Sequence, residues 1–222
     1  MANPSGLVVL EGRWEKSRNT SIKSLFDVLV DINFGNPHAY YFETFANDKS
    51  LEAILQNIGR YSQTKYIYIG AHGNENQFYG SSGAVSRTRF RTILSKAIGP
   101  SVKGIFFGSC LFGSQRNASF FLDPAKGIPP SVKWIAGYRD SVDWIESSVL
   151  DMLFWNSLFY YDTPKRVQLS PKDVVEATCE TIQGYAEGLI GRWHLQVYSR
   201  TPGPSNGLRT LLQHNYFEED KS

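Results

Sequence analysis

Along the chain, short runs of apolar, β-branched and aromatic residues alternate with longer segments in which apolar residues return every three or four positions. Runs of the first kind read as strands buried on both faces, and segments of the second kind as helices that cover them. The predicted strands are Leu7–Leu10, Ala39–Phe42, Tyr66–Ile69, Val102–Phe107, Trp134–Ala136 and Leu195–Tyr198. The predicted helix faces are Ile22, Leu25, Phe26 and Leu29, then Leu51, Ile54, Leu55 and Ile58, then Phe90, Ile93, Leu94 and Ala97. A longer helix carries Ile145, Val149 and Leu153 on one face. The expectation is an α/β fold: a six-stranded, mainly parallel sheet flanked by helices.

Local chemistry places several boundaries. Gly99-Pro100 stops the third helix, and Ser170-Pro171 opens the last with a hydroxyl cap and a proline in the first turn. The segment from Gly113 to Pro130 reads as a long polar loop, with room to regulate or to touch substrate. Thr201–Gly207 reads as irregular and the closing EEDKS as a solvated tail, so the domain is expected over 1–200 with a loop and tail over 201–222. No internal repeat is found.

Composition adds limits. The chain has 222 residues, of which 41% are apolar, enough for one full core. Its net charge of +2 is spread along the sequence and argues for neither nucleic acid nor membrane. Only Cys110 and Cys179 are present, in unlike surroundings, so no disulfide framework or zinc site is expected, and a reducing, cytoplasmic setting is the natural reading. The N-terminus lacks a basic region, and Leu7–Leu10 is far short of the roughly 18 apolar residues a membrane span needs. No metal or cofactor is called for.

Two strands stand out by the residues at their C-terminal ends: KYIYIGAHGN sets His72-Gly73 past one, and KGIFFGSC sets Cys110 past the next. In a parallel sheet the C-terminal strand ends open onto one crevice, where the two side chains can meet. A thiol of ordinary pKa, about 8.5, is mostly protonated near neutral pH, and an imidazole that takes its proton yields the nucleophile. The backbone amides of Gly73 and Cys110 are placed to serve a developing oxyanion. Gly108-Ser109 is expected to let the chain turn off its strand, and Gly113 to loosen the segment after the thiol.

An apolar strand ending in His-Gly, a helix, then an apolar strand ending in a small residue and Cys resembles the clan of caspases, gingipains, separases and CHAT-domain peptidases. WIAGYRDSVDW and the helix ending in MLFWNSLFYY are similar to the strand and helix after the nucleophile in the CHAT and separase branch, so the likeness spans roughly Leu7–Tyr161. Around the cysteine stands GSCLFG rather than the QACxG of caspases proper. The resemblance implies a three-layer caspase-like sandwich, a cysteine endopeptidase with the dyad His72 and Cys110, and oxyanion donors at Gly73 and Cys110. By the separase pattern, an acidic residue past the next strand floors a pocket for a basic P1 side chain; Asp140 is the best match and Asp143 the alternative. Bidentate pairing then favours Arg over Lys. A caspase-style pocket for acidic P1 would instead use Arg13 and Arg139.

Blander roles compete at each position. Cys179 lies in a helical pattern with Val175, Thr178 and Ile182 and reads as packing. His38, His194 and His214 read as structural, with His38 a candidate for the crevice edge. Asp140, Asp143 and Glu146 fall where acidic residues cap a helix without any ligand. Arg87, Arg89 and Arg91 read as a solvated helix face, and the sequons at Asn19 and Asn117 as chance matches. The expected partners are a protein or peptide substrate and a regulatory protein or processing event. The alternatives are a silent protease-like binding module and a small-molecule hydrolase or acyltransferase on the same site.

Overall fold

A computed structural model of the protein describes residues 3–13, 20–123, 125, 128–163, 169–201 and 207–212. In chain order the elements are β1 (Leu7–Gly12), α1 (Lys23–Phe34), β2 (Tyr41–Phe45), α2 (Asp48–Ile58), β3 (Tyr66–Gly70), β4 (Gln77–Tyr79), β5 (Ala84–Ser86) and α3 (Arg87–Ala97). Next come β6 (Gly104–Gly108), α4 (Gln115–Leu122), β7 (Trp134–Tyr138), α5 (Trp144–Asp162), α6 (Pro171–Trp193), β8 (Leu195–Arg200) and β9 (Leu208–Thr210). Seven strands form one sheet in the order β2-β1-β3-β6-β7-β8-β9. The first five in that order are parallel, and β8 and β9 are antiparallel. The fold is α/β, with a mainly parallel sheet and helices on both faces.

Strand alternation divides the interior. Leu7, Val9, Tyr66, Tyr68, Phe106 and Trp134 face one core, covered by α1, α5 and α6. Val8, Leu10, Ile67, Ile69, Ile105 and Phe107 face the other, covered by α2, α3 and α4. The starts of α2 to α6 are fixed by side-chain caps: Asn47 and Ser50 form a capping box at α2, while Ser86, Ser114, Asp143 and Ser170 cap α3 to α6. Each such bond satisfies an amide with no partner within the helix.

The structure departs from the sequence reading at five places. The second strand begins at Tyr41, because Ala39 is held in a turn by its amide bond to Asn36 O (3.0 Å). The sheet has seven strands, since β9 pairs with β8 inside the segment read as loop and tail. The segment after Cys110 builds α4, with Ala118, Phe121 and Leu122 buried, where a long loop was expected. A two-stranded hairpin, β4 and β5, comes after His72. Finally, α5 is rotated from its expected face: Ile145 and Val149 are 67% and 50% exposed, while Leu150, Phe154, Trp155 and Leu158 are buried. The larger aromatic rings claim the sheet because they remove more apolar surface from water.

Candidate active site

Pairing of β3 with β6 sets Gly70 opposite Gly108. His72 and Cys110 therefore each stand two residues past one pair of register partners, at the C-terminal ends of adjacent parallel strands. Ala71 N–H donates to Gly108 O at 3.5 Å, which carries the contact one residue further. Beyond it, Tyr79 N–H donates to His72 O and Asn74 N–H to Gln77 O, both at 2.9 Å, folding the chain back into the β4–β5 hairpin. Gly73 bridges Phe78 between those two bonds, so its own amide takes no part in the hairpin ladder. A side chain on Gly73 would sit 3.1 Å from Cys110 O and 3.1 Å from Ser109 Cβ, so the backbones on which the two catalytic candidates stand are packed closely together there.

The turn that carries the sulfur is made differently from expectation. Leu111, with φ 62°, takes the left-handed conformation that ordinarily goes to glycine, and its amide donates to Asp140 O at 3.2 Å. Such a conformation in a bulky residue stores about 1–3 kcal/mol and persists only where surrounding bonds enforce it. Gly108 is needed for packing rather than for turning: a Cβ there would lie 2.0 Å from the Tyr68 hydroxyl. Gly113 is likewise held firmly, its amide bonded to Tyr138 O at 2.8 Å and its Cα against Gly137. The Cys110 sulfur is partly buried and accepts from the Val142 amide at 3.4 Å, just ahead of the α5 N-cap, with Val142 O 3.8 Å away. A bond of that kind strengthens when the sulfur is charged.

The remaining candidates are separated by their partners. Asp143 spends its side chain as the α5 N-cap, accepting from the Ile145 amide at 2.9 Å and the Glu146 amide at 3.1 Å. Asp140, half exposed, is bonded through Oδ2 to His194 Nδ1, so the histidine read as structural sits on the acid read as a pocket floor. His194 is itself left-handed (φ 49°), caps the C-terminus of α6, and accepts from the Arg139 amide at 3.1 Å. Among the described residues, Leu111 and His194 are the non-glycine positions of positive φ, and Asp140 bonds to both. Arg13 lines a cleft of about 370 Å³ beside Glu11, Ser21 and Thr44 at the ends of β1 and β2, while exposed Arg139 lies past β7.

His38 stands before β2, at the end of the sheet away from Cys110, and is not at the crevice edge. His214 and Asn19 fall outside the described residues. Cys179 is buried, and burial, with Glu176 and Glu180 nearby, pushes its thiol far above the ordinary range. Asn117 is buried, bonding Arg87, Glu75 O and Phe112 O, which leaves it no role as a glycan acceptor. Arg89 pairs with Asp48 and Glu52, and Arg91 lies 3.7 Å over the Phe120 ring, so these arginines are used within the fold.

Two buried carboxylates escaped the sequence reading. Glu11 accepts from Ser21 Oγ at 2.6 Å and the Ile22 amide at 2.9 Å, receiving the start of α1. Asp151 accepts from Tyr68 at 2.6 Å and Tyr138 at 2.5 Å, and burial pushes its carboxyl up to about 7 against the two hydrogen bonds that lower it. A lone acid inside the apolar run SSVLDMLFW was the available signal. No group of three or more His, Cys, Asp or Glu placed to hold a metal ion occurs among the described residues. No described helix is long and apolar enough to cross a membrane.

Fold and site together define an α/β protein with a thiol and an imidazole at neighbouring strand ends. No family model and no curated protein matches the chain.

Proposed function

We propose that the chain is a cysteine endopeptidase of the caspase-like kind, built as a three-layer sandwich, with Cys110 as nucleophile and His72 as base. The observation that carries this is the equal offset of the two residues from Gly70 and Gly108, with Gly73 backed onto the Cys110 carbonyl. His72 takes the thiol proton, the sulfur attacks the substrate carbonyl carbon, and the Gly73 and Cys110 amides receive the oxyanion. Collapse of that intermediate breaks the C–N bond as His72 returns the proton to the leaving amine; water then releases the acid from the thioester.

Asp140 is the carboxylate for a basic P1 residue, since Asp143 is committed to its cap. A P1 arginine would take the place of His194 on that carboxylate, bidentate where imidazole gives one bond. A cytoplasmic setting suits the free thiol, and control by a partner or by processing suits a peptidase working there. The reading is tested with a thiol-reactive Arg-P1 peptide probe. Wild type is labelled, Cys110→Ala is not, and His72→Ala reacts at least about 100-fold more slowly. Labelling that survives in Cys110→Ala overturns the assignment, and preference for acidic over basic P1 moves the pocket to Arg13 and Arg139.

A further inference from the structure

Beneath the strand ends, the two tyrosines that share Asp151 touch every segment on which the candidate dyad stands. The Tyr68 ring and hydroxyl fill the space where side chains on Gly70 and Gly108 would go, at 2.9 Å and 2.0 Å respectively. Those glycines are the residues two positions before His72 and Cys110. Tyr138 ends β7, its carbonyl accepts from Gly113, and four residues on Val142 meets the sulfur. From α5, Asp151 therefore ties β3 to β7 under the turn that carries Cys110.

The network has two complete hydrogen-bonding arrangements. Tyr138 Oη lies 2.5 Å from Asp151 Oδ1 and 2.9 Å from Ser147 O, in the first turn of α5. With Asp151 ionised, both phenols donate to the carboxylate. With Asp151 protonated, its hydroxyl donates to Tyr138, which turns its own proton to Ser147 O, while Tyr68 still donates to Oδ2. Every donor is satisfied in either state, so one proton selects between two bonded forms without leaving an unpaired buried group. The titratable groups facing Asp151 are Tyr68 and Tyr138; Glu11 acts on Tyr68, and the α1 side presents Ile22, Leu25 and Phe26. Both phenols are held well above their ordinary range, so the carboxyl is the member that titrates near neutrality.

We infer that Asp151 is a positioning residue for Cys110, setting the turn through Tyr68 and Tyr138, and that its proton switches the reactivity of the sulfur. The role rests on Cys110 being the working thiol, and the test separates the two. Alkylation of Cys110 by iodoacetamide, with peptide mass mapping across about pH 5.5 to 9, needs no peptidase activity. Wild type should show an inflection near the Asp151 value of about 7, Asp151→Asn should lose it, and Tyr68→Phe should move it to higher pH by removing a bond that favours the carboxylate. An inflection that persists unshifted in both variants belongs to His72 or Cys110 and overturns the inference, as does a wild-type profile with none. If Asp151→Asn does not fold, Tyr68→Phe, which keeps the ring under both glycines, and the wild-type profile decide it. Should no peptide be cut while the inflection behaves as stated, the peptidase reading fails and this one stands.

Discussion

The two faces of the sheet are built from different materials. On the side of α2, α3 and α4, the core is Val8, Leu10, Ile67, Ile69, Ile105 and a cluster of phenylalanines, Phe78, Phe90, Phe107, Phe112 and Phe121. On the side of α1, α5 and α6, it is Trp134, Trp155, Tyr66, Tyr68 and Tyr138, with both buried carboxylates found among the described residues, Glu11 and Asp151. One face is thus a mainly apolar support with no buried carboxylate among the described residues, while the other pairs aromatic bulk with ionisable groups close under the strand ends. Burying a carboxyl costs several kcal/mol unless it is neutral or well bonded. Its presence on one face alone ties that face's stability to pH and leaves the other indifferent.

The sharpest way to break that contrast is to remove bulk from each face. Trp155 is fully buried against Phe26, Tyr66, Tyr68, Phe106, Trp134 and Phe154. Trp155→Ala should cost about 3–5 kcal/mol in urea unfolding, whereas Phe107→Leu, on the apolar face, should cost about 1–2 kcal/mol. Equal losses would mean that the aromatic face is no tighter than its partner.

The pH dependence comes next in size. The Asp151 carboxyl keeps its proton up to about 7 in the folded protein, against 3.8 for an ordinary aspartate. Between those values the folded state binds more protons than the unfolded chain, so stability falls as pH rises through that window and is level above it. The expected loss is on the order of a few kcal/mol between pH 4 and pH 8. Asp151→Asn should flatten that limb, whereas a substitution on the apolar face, such as Ile105→Val, should lower the whole curve without changing its slope. A slope retained in Asp151→Asn would assign it to other groups.

The same division separates the features legible in the sequence from those that were not. Strands with alternating cores, such as Tyr66–Gly70 and Gly104–Gly108, announce themselves because both faces are apolar, and the strand-end placement of His72 and Cys110 comes with them. The rotation of α5 did not, because Ile145, Val149 and Leu153 have helical spacing as good as that of the residues that are buried. Only packing against Tyr68 and Trp134 chooses between the two faces, and those partners are remote in sequence. Asp151 was hidden for the same reason: on the expected face it would be solvated, and on the actual face it is enclosed. The bond between Asp140 and His194 joins residues 54 apart, with no local pattern to mark it.

The smallest of these effects separates the two acids at the α5 start, where local helix chemistry and substrate recognition compete for the same residue type. Asp143 holds two free amides of the 19-residue helix α5, whose buried side belongs to the aromatic face. Asp143→Ala should lower stability by about 1 kcal/mol, and Asp143→Asn, which also caps, by much less. Neither should alter the preference for an Arg-P1 probe. Asp140→Ala should do the reverse, changing stability by about 0.5 kcal/mol or less because the carboxylate it removes is half exposed and screened by water, while lowering Arg-P1 labelling. If Asp143→Ala instead abolishes labelling in a folded protein, the carboxylate that meets the substrate is the cap itself. The α5 start then serves recognition directly, and Asp140 only holds His194 and the Leu111 turn.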